Sequence, residues 1–211
     1  MRRTVETAAK MLLMAFVFVL IPVGYSSATD SDPKNYLLLK LGAYSPQHDD
    51  LDHFNEGFNG EIYYGRYFHK HFASELGVGY FKSNGSKQLS PITLKEDELK
   101  VFDILYTIKA VLPIGRLELF AGPGIGWYYA KANSVISTDG IPVGFGSDAR
   151  GGFGFHVLAG ANFNITPNWF MGIEGKYFWA KTDTTIETIP AGFFGSHLDG
   201  LVGTASMGWR F

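Results

Sequence analysis

The sequence predicts an all-β fold: an eight-stranded antiparallel up-and-down transmembrane β-barrel with short periplasmic turns and four long extracellular loops. Three observations carry that expectation. Period-two alternation recurs in eight segments, the mark of strands whose two faces meet different surroundings. The connections between those segments alternate between short and long. All four tryptophans fall on the apolar parity, near strand ends. The 16% aromatic content and 26 glycines are also high for a helical or α/β domain.

The first segment, Asn35–Tyr44, places Leu37, Leu39, Leu41 and Ala43 on one face and Leu38, Lys40 and Gly42 on the other. The second, Gly60–Phe68, opposes Ile62, Tyr64 and Phe68 to Glu61, Tyr63, Gly65 and Tyr67. The third, Phe72–Phe81, opposes Leu76, Val78 and Tyr80 to Glu75, Gly77 and Gly79. The fourth, Leu99–Leu112, opposes Phe102, Ile104, Tyr106, Ile108 and Ala110 to Asp103, Thr107 and Lys109.

In the fifth, Arg116–Tyr129, Leu117, Leu119, Ala121, Ile125 and Trp127 stand against Glu118, Phe120 and three glycines. The sixth, Phe153–Ile165, sets Phe155, Val157, Ala159, Ala161 and Phe163 against His156, Gly160 and Asn162. The seventh, Trp169–Trp179, sets Met171, Ile173, Tyr177 and Trp179 against Gly172, Glu174 and Lys176. The eighth, Asp199–Phe211, sets Leu201, Ala205, Met207, Trp209 and Phe211 against Thr204, Ser206, Gly208 and Arg210.

Only His69-Lys70-His71, Pro113-Ile114-Gly115 and Thr166-Pro167-Asn168 separate segments two from three, four from five, and six from seven. The other connections are long: Ser45–Asn59, Lys82–Glu98, Ala130–Gly152 and Ala180–Leu198. Barrels of an outer membrane have that asymmetry. Pro123 lies within the fifth segment, where its missing donor calls for a bulge or rim. Ile141-Pro142-Val143 in the third long connection reads equally as a small hairpin or as irregular chain.

A soluble lipocalin-like barrel shows the same alternation. The tryptophans discriminate. Trp127 and Trp179 stand at the long-loop ends and Trp169 and Trp209 at the short-turn ends, bounding a band of Leu, Ile, Val and Ala. Two aromatic belts match the two interfaces of a bilayer, whereas core-filling tryptophans have no reason to prefer strand ends.

Arg2, Arg3 and Lys10, the apolar run Met11–Val23, and Ser26-Ser27-Ala28 form the three parts of a secretory signal peptide. The run is short for a span of about 20 residues. Residues 1–28 are therefore expected to be cleaved after Sec-type export, leaving 29–211 as the barrel domain. The formal charge of −2 becomes more negative without the basic leader, which excludes a nucleic-acid surface. The absence of cysteine excludes a disulfide scaffold.

The chain finishes on Met207-Gly208-Trp209-Arg210-Phe211, and Gly203, Ala205, Met207, Trp209 and Phe211 share the outward parity. This resembles the C-terminal assembly signal of bacterial outer-membrane barrels. Together with Gly60–Phe68, Glu75–Tyr80 and Phe120–Gly126, it makes the chain similar to the small OmpA-like outer-membrane β-barrel family, barrel domain only. The resemblance implies residence in the bacterial outer membrane and recognition by the barrel assembly machinery and periplasmic chaperones. It also implies contact with outer-membrane lipid and lipopolysaccharide. The continuous apolar belt suggests a monomer.

The inward parity holds Lys40, Glu61, Glu75, Asp103, Lys109, Glu118, Glu174, Lys176 and Arg210. Eight strands enclose an interior just wide enough for side chains. These charges are therefore expected to form a structural network that plugs a surface scaffold. The inward glycines favour the alternative, a narrow porin-like channel for small solutes or ions. A lipid A-modifying enzyme is the third reading. Barrels of the lipid A deacylase kind need a His and a Ser two apart on an outward face, and none of His48, His53, His69, His71, His156 and His197 has one. Ser196-His197 are adjacent, hence on opposite faces of a strand. His48, Asp49, Asp50, Asp52 and His53 read as a hydrated loop. No catalytic, cofactor or metal set is expected.

Overall fold

The structure, a computed structural model, describes residues 35–47, 54–182 and 198–211. The expected signal peptide 1–28, the acidic and histidine residues at 48–53 and Ser196-His197 lie outside the described residues. Eight strands follow one another: β1 Asn35–Pro46, β2 Gly57–His69, β3 Phe72–Ser90, β4 Thr93–Ile114, β5 Leu117–Thr138, β6 Ile141–Asn164, β7 Trp169–Thr182 and β8 Gly200–Arg210. Each pairs antiparallel with its sequence neighbour, and β1 pairs with β8, so the sheet closes on itself. Closure leaves no ladder edge within the ring, the condition for backbone to survive in hydrocarbon.

The alternation read from the sequence is the alternation of the wall. Leu37, Leu39 and Leu41 are about half exposed on the outside, while Leu38 and Lys40 between them are buried. Ile62, Ile108, Ile125, Val157, Ile173 and Met207 all face outward. Trp169, Trp179 and Trp209 are exposed on that face. Trp127 shares it, stacked on Tyr129 at 6.0 Å between ring centroids. Trp169 lies directly opposite Trp209, and Phe211 stacks on Trp209 at 5.0 Å, which builds the short-turn belt.

The short turns occupy Lys70-His71, Gly115-Arg116 and the loop 165–168. Gly115 takes the left-handed conformation that its tight turn requires (φ 63°). At the other end, two of the long connections differ from irregular loops. Lys82 to Ser90 continues β3 and pairs with the outer part of β4, and 130–138 continues β5 against the outer part of β6. The Ile141-Pro142-Val143 stretch thus belongs to a hairpin, turned by Asp139 and Gly140 at φ 52° and 75°. An Asp-Gly pair is what such a two-residue turn selects. The β3 extension escapes periodicity because Ser83, Asn84, Gly85 and Ser86 carry no apolar alternation, whereas in the β6 arm Ile141, Val143 and Phe145 alternate on one exposed face.

Pro123 sits where β5 leaves β4. Pairing runs to Thr107 opposite Gly124, skips a pair of residues on each strand, and resumes in the same register at Ala110 opposite Ala121. The expected bulge or rim is therefore a gap in the ladder. On its other side Pro123 stays opposite Val157 of β6.

Candidate functional site: the ion-paired lumen

Every inward charge expected from parity is buried inside the ring, at or below 8% exposure for all except Glu118, whose side chain is 12% exposed. Strand order brings together residues far apart in sequence, and they fall into three groups along the lumen. Nearest the short turns, Arg210 donates to Glu118 Oε2 at 2.8 Å and to Asn164 Oδ1 at 2.8 Å. Tyr67 and Asn164 also donate to Glu118, each at 3.0 Å. The Arg210 guanidinium lies 4.5 Å over the Phe170 ring. Phe170 is on β7 and Arg210 ends β8, so the seam strand is anchored to its neighbour on the inside.

The middle group is a four-membered ring of charge. Lys40 donates to both oxygens of Glu174 at 2.7 Å. Lys109 reaches Glu75 at 2.8 Å and Glu174 at 3.1 Å, and Glu75 lies 3.6 Å from Lys40. Tyr36 donates to Glu75 at 2.8 Å. The ammonium groups of Lys40 and Lys109 each sit 4.1 Å from a ring centroid, those of Tyr63 and Phe120. Two cations and two carboxylates cancel there. Without that cancellation, burial of a single charge would cost several kcal/mol.

Toward the long loops, Lys176 pairs with Glu61, which also accepts from Tyr63 at 2.8 Å and Asn59 at 3.0 Å. Asp103 is buried beside this group, accepting from the Gly79 amide; among the described residues its Oδ1 has no hydrogen-bond partner and it makes no ion pair. Beyond lies an aromatic cap. Tyr44 packs on Phe81 at 4.4 Å, and Phe178 stacks on Tyr128 at 5.2 Å.

Sequence reasoning missed the cap, although its parity is legible: Tyr44, Phe81, Tyr128 and Phe178 alternate out of phase with the wall residues beside them. It also missed the pair of buried Thr107 and His156, whose Oγ1 and Nε2 are 2.8 Å apart. The inward glycines are occupied space. A Cβ at Gly65 would lie 2.1 Å from the Tyr36 ring, and one at Gly208 2.1 Å from Phe170. The rings lie where those side chains would be.

Among the described residues, no three His, Asp or Glu side chains are grouped to hold a metal ion. His69 ends β2 and His71 lies in the short turn that follows, with rings 5.6 Å apart, and His71 Nδ1 is 3.1 Å from the Val111 carbonyl oxygen.

A closed eight-stranded wall with an apolar outside, two aromatic belts and an ionic inside has the anatomy of an outer-membrane barrel. The family model for the outer membrane protein beta-barrel domain matches residues 14–211. The chain belongs to that family. No curated protein sequence matches it. In fold it is similar to Neisserial surface protein A, at 14% identity over 84% of this chain and 97% of that one, with a TM-score of 0.58. It also matches Ail, the attachment invasion locus protein of Yersinia pestis (14% identity, 85% and 99% coverage, TM-score 0.47). The N-terminal β-barrel domain of Pseudomonas aeruginosa OprF matches at 14% identity, 85% and 100% coverage and TM-score 0.39. The likeness is one of fold. In this outer-membrane barrel the short turns are periplasmic and the tall β3–β4 and β5–β6 hairpins extracellular.

Proposed function

We propose that this outer-membrane barrel is a surface scaffold with a plugged lumen, presenting its extracellular strands for interaction, and that it conducts neither ions nor solutes. The observation that carries the reading is the middle charge ring of Lys40, Lys109, Glu75 and Glu174, which spans the interior from β1 to β3, β4 and β7. Each member holds at least two others, so no single rotamer change opens a path. The aromatic cap supports the same reading from the extracellular side, and the rings set against Gly65 and Gly208 remove the space that favoured a channel. The reading assigns no catalytic step.

Planar-bilayer recording on the refolded full-length chain tests it. The expected result is conductance near nothing, without steady openings. Steady wild-type conductance at moderate voltage overturns the plug and favours the narrow channel.

A further inference from the structure

On four strands, the outward residue next beyond the extracellular belt aromatic is a lysine: Tyr80 then Lys82, Phe102 then Lys100, Tyr129 then Lys131, Trp179 then Lys181. Three of these lysines are direct cross-strand neighbours. Lys82 of β3 lies opposite Lys100 of β4, which lies opposite Lys131 of β5. Adjacent strands are about 4.8 Å apart, so three cations occupy about 10 Å of wall. Like charges set directly opposite one another destabilise a sheet. Among the described residues a single carboxylate pairs with them: Glu98 reaches Lys82 at 2.5 Å and Lys100 at 2.6 Å. Among the described residues the row keeps an excess of positive charge, with the Lys82 and Lys100 side chains 39% and 37% exposed and Lys131 and Lys181 exposed as well.

Height identifies what meets that charge. Two residues of strand rise about 7 Å along the chain and roughly 5 Å along the bilayer normal at the tilt of such barrels. Aromatic belts sit at the edge of the hydrocarbon, so the lysines stand in the layer of lipid headgroups. Lysine binds phosphate as a point charge on a flexible stem that adapts to the anion.

We infer that Lys82, Lys100 and Lys131, extended by Lys181, form a docking row for the phosphates of an outer-leaflet glycolipid, with diphosphoryl lipid A as the chemical type. Glu98 acts against it by holding two of the lysines. The inference rests on membrane placement and is independent of whether the lumen is plugged.

The test uses refolded full-length protein in detergent, titrated with diphosphoryl lipid A, with retention read by native mass spectrometry. Heat-modifiable gel mobility checks the fold of each variant. The combined Lys82→Gln, Lys100→Gln, Lys131→Gln and Lys181→Gln variant should bind on the order of tenfold or more weakly. Lys87→Gln, on the outer part of β3, should bind as wild type. Glu98→Gln should bind more tightly, a change that a purely structural carboxylate would not produce. Dephosphorylated lipid A should be retained poorly by every variant. Equal retention of phosphorylated and dephosphorylated lipid, or unchanged binding in a folded fourfold variant, overturns the inference. So does displacement of bound lipid A by a soluble sulfated oligosaccharide, which makes the row a site for soluble polyanions. If the fourfold variant does not fold, Glu98→Gln decides: tighter retention supports the row, and equal or weaker retention sinks it.

Discussion

Lys40 of β1 and Glu174 of β7 meet over the intervening β8, with both carboxylate oxygens accepting from Nζ at 2.7 Å. Glu174 Oε2 also accepts from Lys109 at 3.1 Å. One carboxylate thereby compensates two lysines, and Glu174→Gln leaves both leaning on Glu75 alone. Removing one partner of a buried pair costs about 3–5 kcal/mol. Glu118→Gln should cost less, because its group is near the periplasmic rim and water can reach the orphaned guanidinium. Equilibrium unfolding in lipid vesicles checks the order, and equal small losses at both sites contradict it.

The aromatic cap and the charge ring are separable. Tyr44→Ala with Phe178→Ala removes packing from the extracellular end and should lower stability by several kcal/mol. It should leave conductance near nothing, because the ion pairs below still close the lumen. The Glu75→Gln and Glu174→Gln double variant strips the ring of its carboxylates and should admit measurable ion flow. Recordings that show the reverse ranking would move the seal from the ring to the cap.

The wall gives a third prediction. Ile173 is 67% exposed on the lipid-facing side of β7, and Leu119 faces the same way from β5. A lysine at either site should cost roughly 2–4 kcal/mol near the midplane. Val143→Lys, on the extracellular hairpin, should stay within about 0.5 kcal/mol of wild type. Reversible unfolding in vesicles distinguishes these; identical effects at all three positions would mean that the bilayer does not reach Ile173.

Glu98 supplies a pH dependence outside the bilayer. Hydrogen bonds from Lys100 first, then Lys82, and from Asn133 draw its carboxyl down from 4.5 to about 2. A depressed folded value means that the stabilisation is fully present above the unfolded value and is lost as pH falls from about 4.5 through about 2. Local opening of the β3–β4 hairpin, followed by amide exchange, should therefore increase across that window. Glu98→Gln should flatten the response; an unaltered profile in the variant would assign the titration to another group.

The wall was legible in the sequence because lipid enforces it at every second residue: one slip in Leu37-Leu38-Leu39-Lys40 would expose a lysine to hydrocarbon. The inward face of Lys40, Glu75 and Glu174 was legible for the same reason. Their partners were not, since Lys40 and Glu174 lie on strands separated by β8, and only the register of the closed ring sets their relative heights. The extracellular pairing of Lys82–Ser90 was hidden because Ser83, Asn84, Gly85 and Ser86 alternate in nothing that lipid selects. Asp103 had the parity of the network but sits beside it, without an ion pair among the described residues.

The last prediction concerns the barrel seam. Phe211 closes it: Asn35 donates to the Phe211 carbonyl at 3.3 Å, and Phe211 donates back to Asn35 at 2.9 Å. The ring itself does nothing inside the barrel, being 45% exposed on the lipid side beside Trp209. Backbone closure and side-chain display are thus separate roles, and substitutions divide them. Phe211→Asp keeps the backbone pair but puts a charge in the periplasmic belt. Deleting Phe211 removes the pair as well. If the ring is read by assembly machinery, Phe211→Asp should sharply reduce heat-modifiable protein in the outer membrane of cells, while refolding of purified protein into vesicles changes modestly. If the residue matters only for closure, deletion should impair both assays and Phe211→Asp neither. Normal outer-membrane yield from Phe211→Asp would remove Phe211 from the assembly signal and leave Gly203, Ala205, Met207 and Trp209 as ordinary wall.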